Sequence, residues 1–312
     1  MRAFLFPGQG SQTVGMGKAL AEAFAAARAV FEEVDEALKQ RLSRLMWQGP
    51  ESELTLTENT QPAIMAASLA IIRTLQADGR LDLAKHARVV AGHSAGEYSA
   101  LCAAGAFTIS DAARLLRLRG QAMQAAVPVG EGAMTALIGI EMAAAEAAVK
   151  EASSLGVVVV ANDNAPGQIV ISGAKLAVEK AAEIAKTKGA KRAIPLAVST
   201  PNHSPLLRPA ADRMREALVE ITIRPPAVPL IANVTAAEIS EPAAIRDLLV
   251  EQLTARVRWR ESVASFRELG VAMTVEAGGN KVLTGMVKRI DKELEPVSLD
   301  SPADIEAFAK TL

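Results

Sequence analysis

The stretch Arg88-Val89-Val90-Ala91-Gly92-His93-Ser94-Ala95-Gly96-Glu97-Tyr98-Ser99 decides the fold. Arg88 to Ala91 is a short run with two β-branched residues and reads as a buried strand. Glu97 to Ala104 follows as a helix. The turn between them, Gly92-His93-Ser94-Ala95-Gly96, has the G-x-S-x-G pattern. A serine at such a strand-to-helix turn is held strained, with its hydroxyl projecting from the sheet, and the flanking glycines let strand and helix pass close together. The helix N-terminus beyond it offers unpaired N–H groups and a positive dipole end, where a developing oxyanion would be stabilised. Ser94 is therefore a nucleophile candidate, against the plainer reading of a chance match in a glycine-containing turn.

Working outward, strands and helices alternate. A first strand at Ala3–Phe6 precedes helical patterns at Gly17–Leu38 and Pro62–Gln76, and Ser110–Ala126 continues the helical pattern beyond the turn. This order predicts a parallel sheet covered on both faces. After Pro128-Val129-Gly130-Glu131-Gly132 the rhythm changes. A strand at Thr135–Ile140 and an Ala-rich helix at Ala143–Glu151 are followed by strands at Val157–Ala161 and Ile169–Ser172. A helix at Lys175–Lys188 and a strand at Ala193–Leu196 complete a β-α-β-β-α-β unit, the split motif of ferredoxin-like domains. The first pattern then resumes, with strands at Pro229–Ala232, Met273–Glu276 and Val297–Leu299. The predicted fold is α/β: a large α/β-hydrolase-like domain with a mostly parallel sheet, residues 1–127 and 198–312, interrupted by a small ferredoxin-like domain, residues 128–197.

Composition narrows the function classes. The chain has 312 residues, half of them apolar and 22% charged, with net charge −1. That fits a globular rather than a disordered chain and counts against broad electrostatic attraction to nucleic acid or an anionic membrane. Aromatics are 3%, too few for stacking platforms along a single-stranded nucleic acid. The lone cysteine, Cys102, excludes an intrachain disulfide and a multi-cysteine metal site, and three scattered histidines show no metal-ligand spacing. The N-terminal apolar run is shorter than a signal-peptide core and no later run approaches membrane-spanning length, so a cytoplasmic location is expected.

A serine hydroxyl needs a base. Of the three histidines, His93 adjoins Ser94, and neighbouring side chains in a tight turn point apart. His86 lies beside Lys85 and reads as solvent-exposed. His203, in Pro201-Asn202-His203-Ser204-Pro205, is left as the candidate base, with no acid near it in sequence to complete a triad. On the helix containing Arg119, the positions Ala112, Leu115, Leu116, Arg119 and Met123 form one stripe, and Arg114, Arg117, Gln121 and Gln124 form the opposite polar face. A guanidinium in an apolar stripe requires an anionic partner. That partner is either a protein carboxylate or the carboxylate of a substrate. The loop Pro7-Gly8-Gln9-Gly10-Ser11-Gln12 leaves the first strand at the carboxyl edge, beside the Ser94 turn, where its N–H groups could complete an oxyanion hole. No P-loop or G-x-G-x-x-G pattern follows it.

Taken together, Phe6-Pro7-Gly8-Gln9-Gly10-Ser11-Gln12, Gly92-His93-Ser94-Ala95-Gly96-Glu97-Tyr98-Ser99, Arg119-Gly120 and Pro201-Asn202-His203-Ser204 resemble the malonyl-CoA:acyl-carrier-protein transacylases, acyltransferases of fatty-acid and polyketide synthesis. The resemblance spans nearly the whole chain, through Asn233-Val234-Thr235 and Lys281-Val282-Leu283-Thr284-Gly285. It implies ping-pong malonyl transfer through a malonyl-Ser94 ester, with His203 as base and Arg119 on the malonyl carboxylate. It further implies an oxyanion hole at the N–H groups of Gln9 and Ala95, Gln61 lining the pocket, and the backbone carbonyl of Gln252 orienting His203. The implied partners are malonyl-CoA and the phosphopantetheine of acyl carrier protein, with no bound cofactor or metal; a monomer is expected, with no nucleic acid or membrane. Four departures stand out: Ala95 where many relatives have Leu, Asn202 before the histidine, Gly278-Gly279-Asn280 for a Gly-Pro-Gly turn, and Asp163 for an aromatic. The rival readings are a transacylase serving polyketide synthesis or malonate decarboxylation, a serine thioesterase or acyl hydrolase, and a silent interaction module.

Overall fold

Ala3, Phe4, Leu5 and Phe6 are all fully buried, which requires a strand covered on both faces. In the computed structural model, which describes residues 1–77, 79–198 and 200–312, they form β1 (Arg2–Phe6) at the centre of a mostly parallel sheet. The other strands are β2 (Ala87–Gly92), β3 (Gly132–Ile138), β4 (Val158–Ala165), β5 (Gln168–Ala174), β6 (Arg192–Pro195), β7 (Leu230–Ile231), β8 (Glu238–Ile239), β9 (Met273–Ala277) and β10 (Glu295–Leu299). The large sheet runs β10-β9-β1-β2-β7-β8 and is parallel throughout except for the last pair. β8 is too short to show an alternating pattern and was not legible in the sequence. Arg88 of β2 reaches across to pair with Glu238 and pins it to the edge.

β3–β6 form a separate antiparallel sheet, order β4-β5-β3-β6, with helices Met142–Ala152 and Lys175–Thr187 packed on it. Its core is its own: Leu137, Ile171, Val178 and Ala181 are fully buried there, and alanines on both helices allow close packing. β4 runs to Ala165, beyond the Ala161 expected. The polar run Asn162-Asp163-Asn164 reads as a loop but continues the strand: Asn162 and Asp163 pair with Val170 and Ile169 of β5, and the large domain satisfies the run from its other edge. Asp163 N–H donates to Val257 O at 2.9 Å, Val257 N–H donates to Ala161 O at 2.8 Å, and Arg260 pairs with the buried Asp163 carboxylate at 2.8 Å.

Three further expectations are corrected. The helix read over Gly17–Leu38 is two helices, Lys18–Ala23 and Ala25–Leu38, broken where Phe24 turns extended, and Arg28 Nε donates to the Ala21 carbonyl beside the break. The helix read from Pro62 begins at Thr57. Its first turns are tied down by Asn59 Nδ2 on Glu53 O and Thr60 Oγ1 on Leu54 O, so the hydrogen bond that Pro62 cannot donate is tolerated. His86 is half-buried rather than exposed, its Nδ1 accepting the Asp82 N–H at 3.1 Å.

Candidate active site

Ser94 leaves β2 with φ 53°, in the left-handed region that costs a non-glycine residue roughly 1–2 kcal/mol. The surroundings hold it there. Ser94 N–H donates to Asn233 Oδ1 at 2.8 Å, and Asn233 Nδ2 donates to Gly92 O at 2.7 Å. The two glycines are required by contact, not by dihedral angle. A Cβ on Gly92 would lie 1.9 Å from the Gly96 carbonyl carbon, and one on Gly96 would lie 2.1 Å from Phe6 O. Parallel pairing of β1 with β2 brings the Pro7–Gln12 loop alongside, with Gly8 against the His93 carbonyl.

His203, 109 residues away in sequence, has Nε2 2.8 Å from Ser94 Oγ. Its Nδ1 lies 2.8 Å from the backbone O of Gln252. A carbonyl only accepts, so Nδ1 carries the proton and the Nε2 lone pair faces the serine hydroxyl. Burial, then the Arg119 charge, lowers the His203 pKa from 6.5 to about 3, so the ring is neutral near pH 7. His93 points the other way: its Nε2 meets Asn164 Oδ1 at 2.8 Å and its ring lies 5.5 Å from that of Trp259.

Arg119 is 1% exposed. Its Nη1 donates to Gln61 Oε1 at 2.9 Å, and its Nη2 donates to Gln252 Oε1 at 2.8 Å and to Ser94 Oγ at 3.1 Å. Its Nε is buried without a hydrogen-bond partner. Among the described residues no carboxylate pairs with it, so the structural ion pair considered above is absent. The guanidinium is a buried cation with neutral partners, and its Nη2 lies 3.1 Å from the serine oxygen. Such a charge is costly until an anion arrives.

Beneath this cluster lies Glu97, which sequence reasoning did not single out although it stands three residues after Ser94. It is 1% exposed. One carboxyl oxygen accepts the Asn233 N–H and the other accepts the Gln252 side-chain amide. Burial raises its pKa to about 8, against the opposing pull of those two hydrogen bonds. The signal that could have found it is an acid in the first turn of an otherwise apolar helix, where it meets the positive end of the dipole. Asn233 was quoted only as part of a family motif, and its hold on the elbow was not foreseen.

A cavity of about 150 Å³ brings together Gln9, Gln61, Ser94, Ala95, Arg119 and His203, with Gln252 directly behind. Met123, Met134, Leu283 and Met286 supply apolar wall. The cavity adjoins a wider groove of about 540 Å³ between the small sheet and, on the large domain, residues 52–57 and Gln124; Gln9, Met134, Leu196 and Val198 line both. Asn202 lines the cavity and its Oδ1 is buried without a partner. In the Gly278–Asn280 turn, Asn280 Nδ2 donates to Ser11 O at 3.2 Å, tying that turn to the Pro7–Gln12 loop.

Residues 3–301 match the model of the acyl transferase domain. The chain is 46% identical over 311 residues to the malonyl CoA-acyl carrier protein transacylase of Bacillus subtilis strain 168, covering 99% of this chain and 96% of that protein. It is 46% identical to the protein of that name from Escherichia coli K12, covering 98% and 97%. The crystal structure of an acyl-carrier-protein S-malonyltransferase from Bartonella henselae superposes with a TM-score of 0.97 at 52% identity, covering 99% of this chain and 98% of that one. A malonyl-transacylase in complex with its type II polyketide acyl-carrier protein superposes at 0.96 with 43% identity, covering 100% and 99%.

Proposed function

The chain belongs to the acyl transferase family, and from that premise we propose that it moves a malonyl group from malonyl-CoA to the phosphopantetheine thiol of acyl carrier protein, supplying fatty-acid synthesis. The observation that carries the choice of acyl group is Arg119, a buried guanidinium with neutral partners whose Nη2 lies 3.1 Å from Ser94 Oγ. A plain fatty-acyl hydrolase would place an apolar chain against that charge, which is unfavourable. A malonyl carboxylate would pair with it.

In the first half-reaction the Ser94 hydroxyl proton passes to His203 Nε2 as Oγ bonds to the thioester carbon. The oxyanion forms against the N–H groups of Gln9 and Ala95, which is where backbone donors contribute most to acyl transfer. The tetrahedral intermediate collapses, the C–S bond breaks, and the departing coenzyme A sulfur takes the proton from His203. In the second half-reaction the carrier's phosphopantetheine thiol gives its proton to His203 and attacks the malonyl-Ser94 ester. The C–O bond breaks and Ser94 recovers the proton. Gln252 O accepts from Nδ1–H throughout and keeps the ring in one tautomer. The thiol wins over water by its position, since a tethered nucleophile acts at high effective molarity. No bound cofactor or metal has a role in these steps.

Intact-mass measurement tests the reading. Malonyl-CoA alone should leave one malonyl group on the protein, and phosphopantetheinylated carrier protein should then remove it and gain the same mass. A protein that takes no malonyl group, or loses it to water at the same rate without carrier, would refute the proposal.

A further inference from the structure

The two catalytic arms of the site converge on one residue. The backbone oxygen of Gln252 holds His203, and its side-chain oxygen holds Arg119. Arg119 is always a donor, so the Gln252 side chain works only if its amide oxygen faces the guanidinium and its amide nitrogen faces away. A terminal amide has no strong intrinsic preference between two orientations related by a flip, and its surroundings must choose. Here the nitrogen is met by three acceptors: Ser94 O at 3.0 Å, Asn233 Oδ1 at 3.4 Å and the nearer Glu97 carboxyl oxygen. Glu97 itself cannot turn aside, because its other oxygen accepts the Asn233 backbone N–H.

We propose that Glu97 is a positioning residue for acyl selection: by accepting the Gln252 side-chain amide it fixes that amide's polarity, so that Arg119 is presented to the acyl carboxylate. The inference rests on the malonyl-transfer reading above. Glu97 touches neither substrate nor the reacting atoms, and acts through Gln252. Two simultaneous acceptor oxygens are needed at position 97, which the carboxyl provides when ionised, above its pKa of about 8, and a glutamine of the same shape does not. In Glu97→Gln the single amide oxygen stays with the backbone N–H of Asn233, and an NH2 group then confronts the NH2 of Gln252. The two NH2 groups cannot share that contact: Gln252 either swings aside or flips its donor toward Arg119 and its oxygen toward Ser94 O, and both movements take its oxygen off the guanidinium.

The test measures kcat/KM for acylation by malonyl-CoA and by acetyl-CoA in wild type and Glu97→Gln, at a pH above 8 where Glu97 is ionised, with melting temperature as the check on folding. Malonyl transfer should fall by roughly tenfold or more, the usual scale for an unsatisfied buried donor. Acetyl transfer should fall much less, so the malonyl-to-acetyl ratio drops by about tenfold, a change that a merely structural role would not produce. A folded Glu97→Gln with an unchanged ratio overturns the proposal alone, whereas a wild type that forms no malonyl adduct overturns the functional reading with it. Should Glu97→Gln fail to fold, NMR of the wild type decides. The Gln252 side-chain amide protons, assigned from their proximity to Ser94 and Asn233, should exchange slowly and shift as the Glu97 carboxyl titrates. Fast-exchanging protons blind to that titration overturn it.

Discussion

The two sides of the cleft are built on different principles. On the large-domain side the elbow is over-determined: glycines locked by contact, an asparagine gripping the Ser94 N–H, and Gln252 gripped in turn by Glu97. On the inserted-domain side the groove is walled by Met134, Thr135, Pro195 and Leu196, with Leu196 partly open to solvent. The comparison teaches that bond-making is assigned to a rigid sheet edge, while the facing wall is left to accommodate an entering chain. Precision of this kind resides in hydrogen bonds and close backbone contacts, not in apolar area.

The sharpest break on the rigid side is Ser94→Ala. It should abolish the malonyl adduct and leave the melting temperature within a few degrees, because the elbow is held through the Ser94 N–H and the two glycines, not through the hydroxyl. Intact mass reads the adduct and thermal denaturation the fold. A malonyl group trapped at the wild-type rate would move the nucleophile elsewhere.

His203→Ala should come next, slowing acylation by roughly two to four orders of magnitude. His93→Ala should cost far less chemistry, since its ring is occupied by Asn164 and Trp259. The pH profile sharpens the point. A base must be unprotonated to act, so activity is lost as pH falls through its pKa. With burial holding His203 near 3, the acid limb of kcat/KM should lie well below the ordinary imidazole value of 6.5. An acid limb centred near 6.5 would mean that His203 is not the group titrating, or that the pocket is wetter than this geometry implies.

The rigid side was the more legible in sequence where its logic is local. Glycines two residues either side of a serine announce the elbow, and the apolar stripe around Arg119 announces a buried charge. What stayed hidden depends on residues that meet only in the fold. Asn233 is 139 residues from the N–H it holds, and nothing in its neighbourhood marks it. Gln252 was reached by resemblance alone, and Glu97 stood in the elbow motif without being singled out. The inserted side was legible as a β-α-β-β-α-β rhythm, but its seam was not. Asn162-Asp163-Asn164 continues β4 against β5, and Val257, Arg260 and His93 satisfy it from the large domain.

Arg119→Ala tests selectivity, where the rigid side meets the substrate. Malonyl transfer should fall by roughly a hundredfold relative to acetyl transfer, because a buried guanidinium–carboxylate contact is worth several times a neutral hydrogen bond. Competition between malonyl-CoA and acetyl-CoA in one mixture measures the ratio directly. Equal losses on both substrates would assign Arg119 to holding Gln61 and Gln252 in place instead.

The smallest effect is expected on the accommodating side, where carrier protein must approach. Acyl carrier proteins are typically acidic and this chain is nearly neutral, so attraction has to come from a local patch. Two basic runs stand out in sequence: Lys186, Lys188, Lys191 and Arg192, and Lys288 with Arg289. Their surroundings separate them. Arg289 donates to Gln168 Oε1 and Pro166 O, both at 2.8 Å, and so ties Val282–Ile290, a late helix of the large domain, to the inserted domain. Lys188 is paired with Glu151. Lys191 and Arg192 are exposed, and Arg192 opens the strand that ends at Pro195 on the groove. Reversing Lys191 and Arg192 to Glu should therefore slow the carrier half-reaction by about severalfold at low ionic strength and flatten its salt dependence. Formation of malonyl-Ser94 from malonyl-CoA should change little. Arg289→Glu should instead lower the melting temperature, because it breaks the seam between the domains. The comparison between the two sides fails if the Lys191/Arg192 reversal leaves carrier kinetics unchanged while Arg289→Glu alters them without loss of stability, since the late helix of the large domain would then be the docking surface.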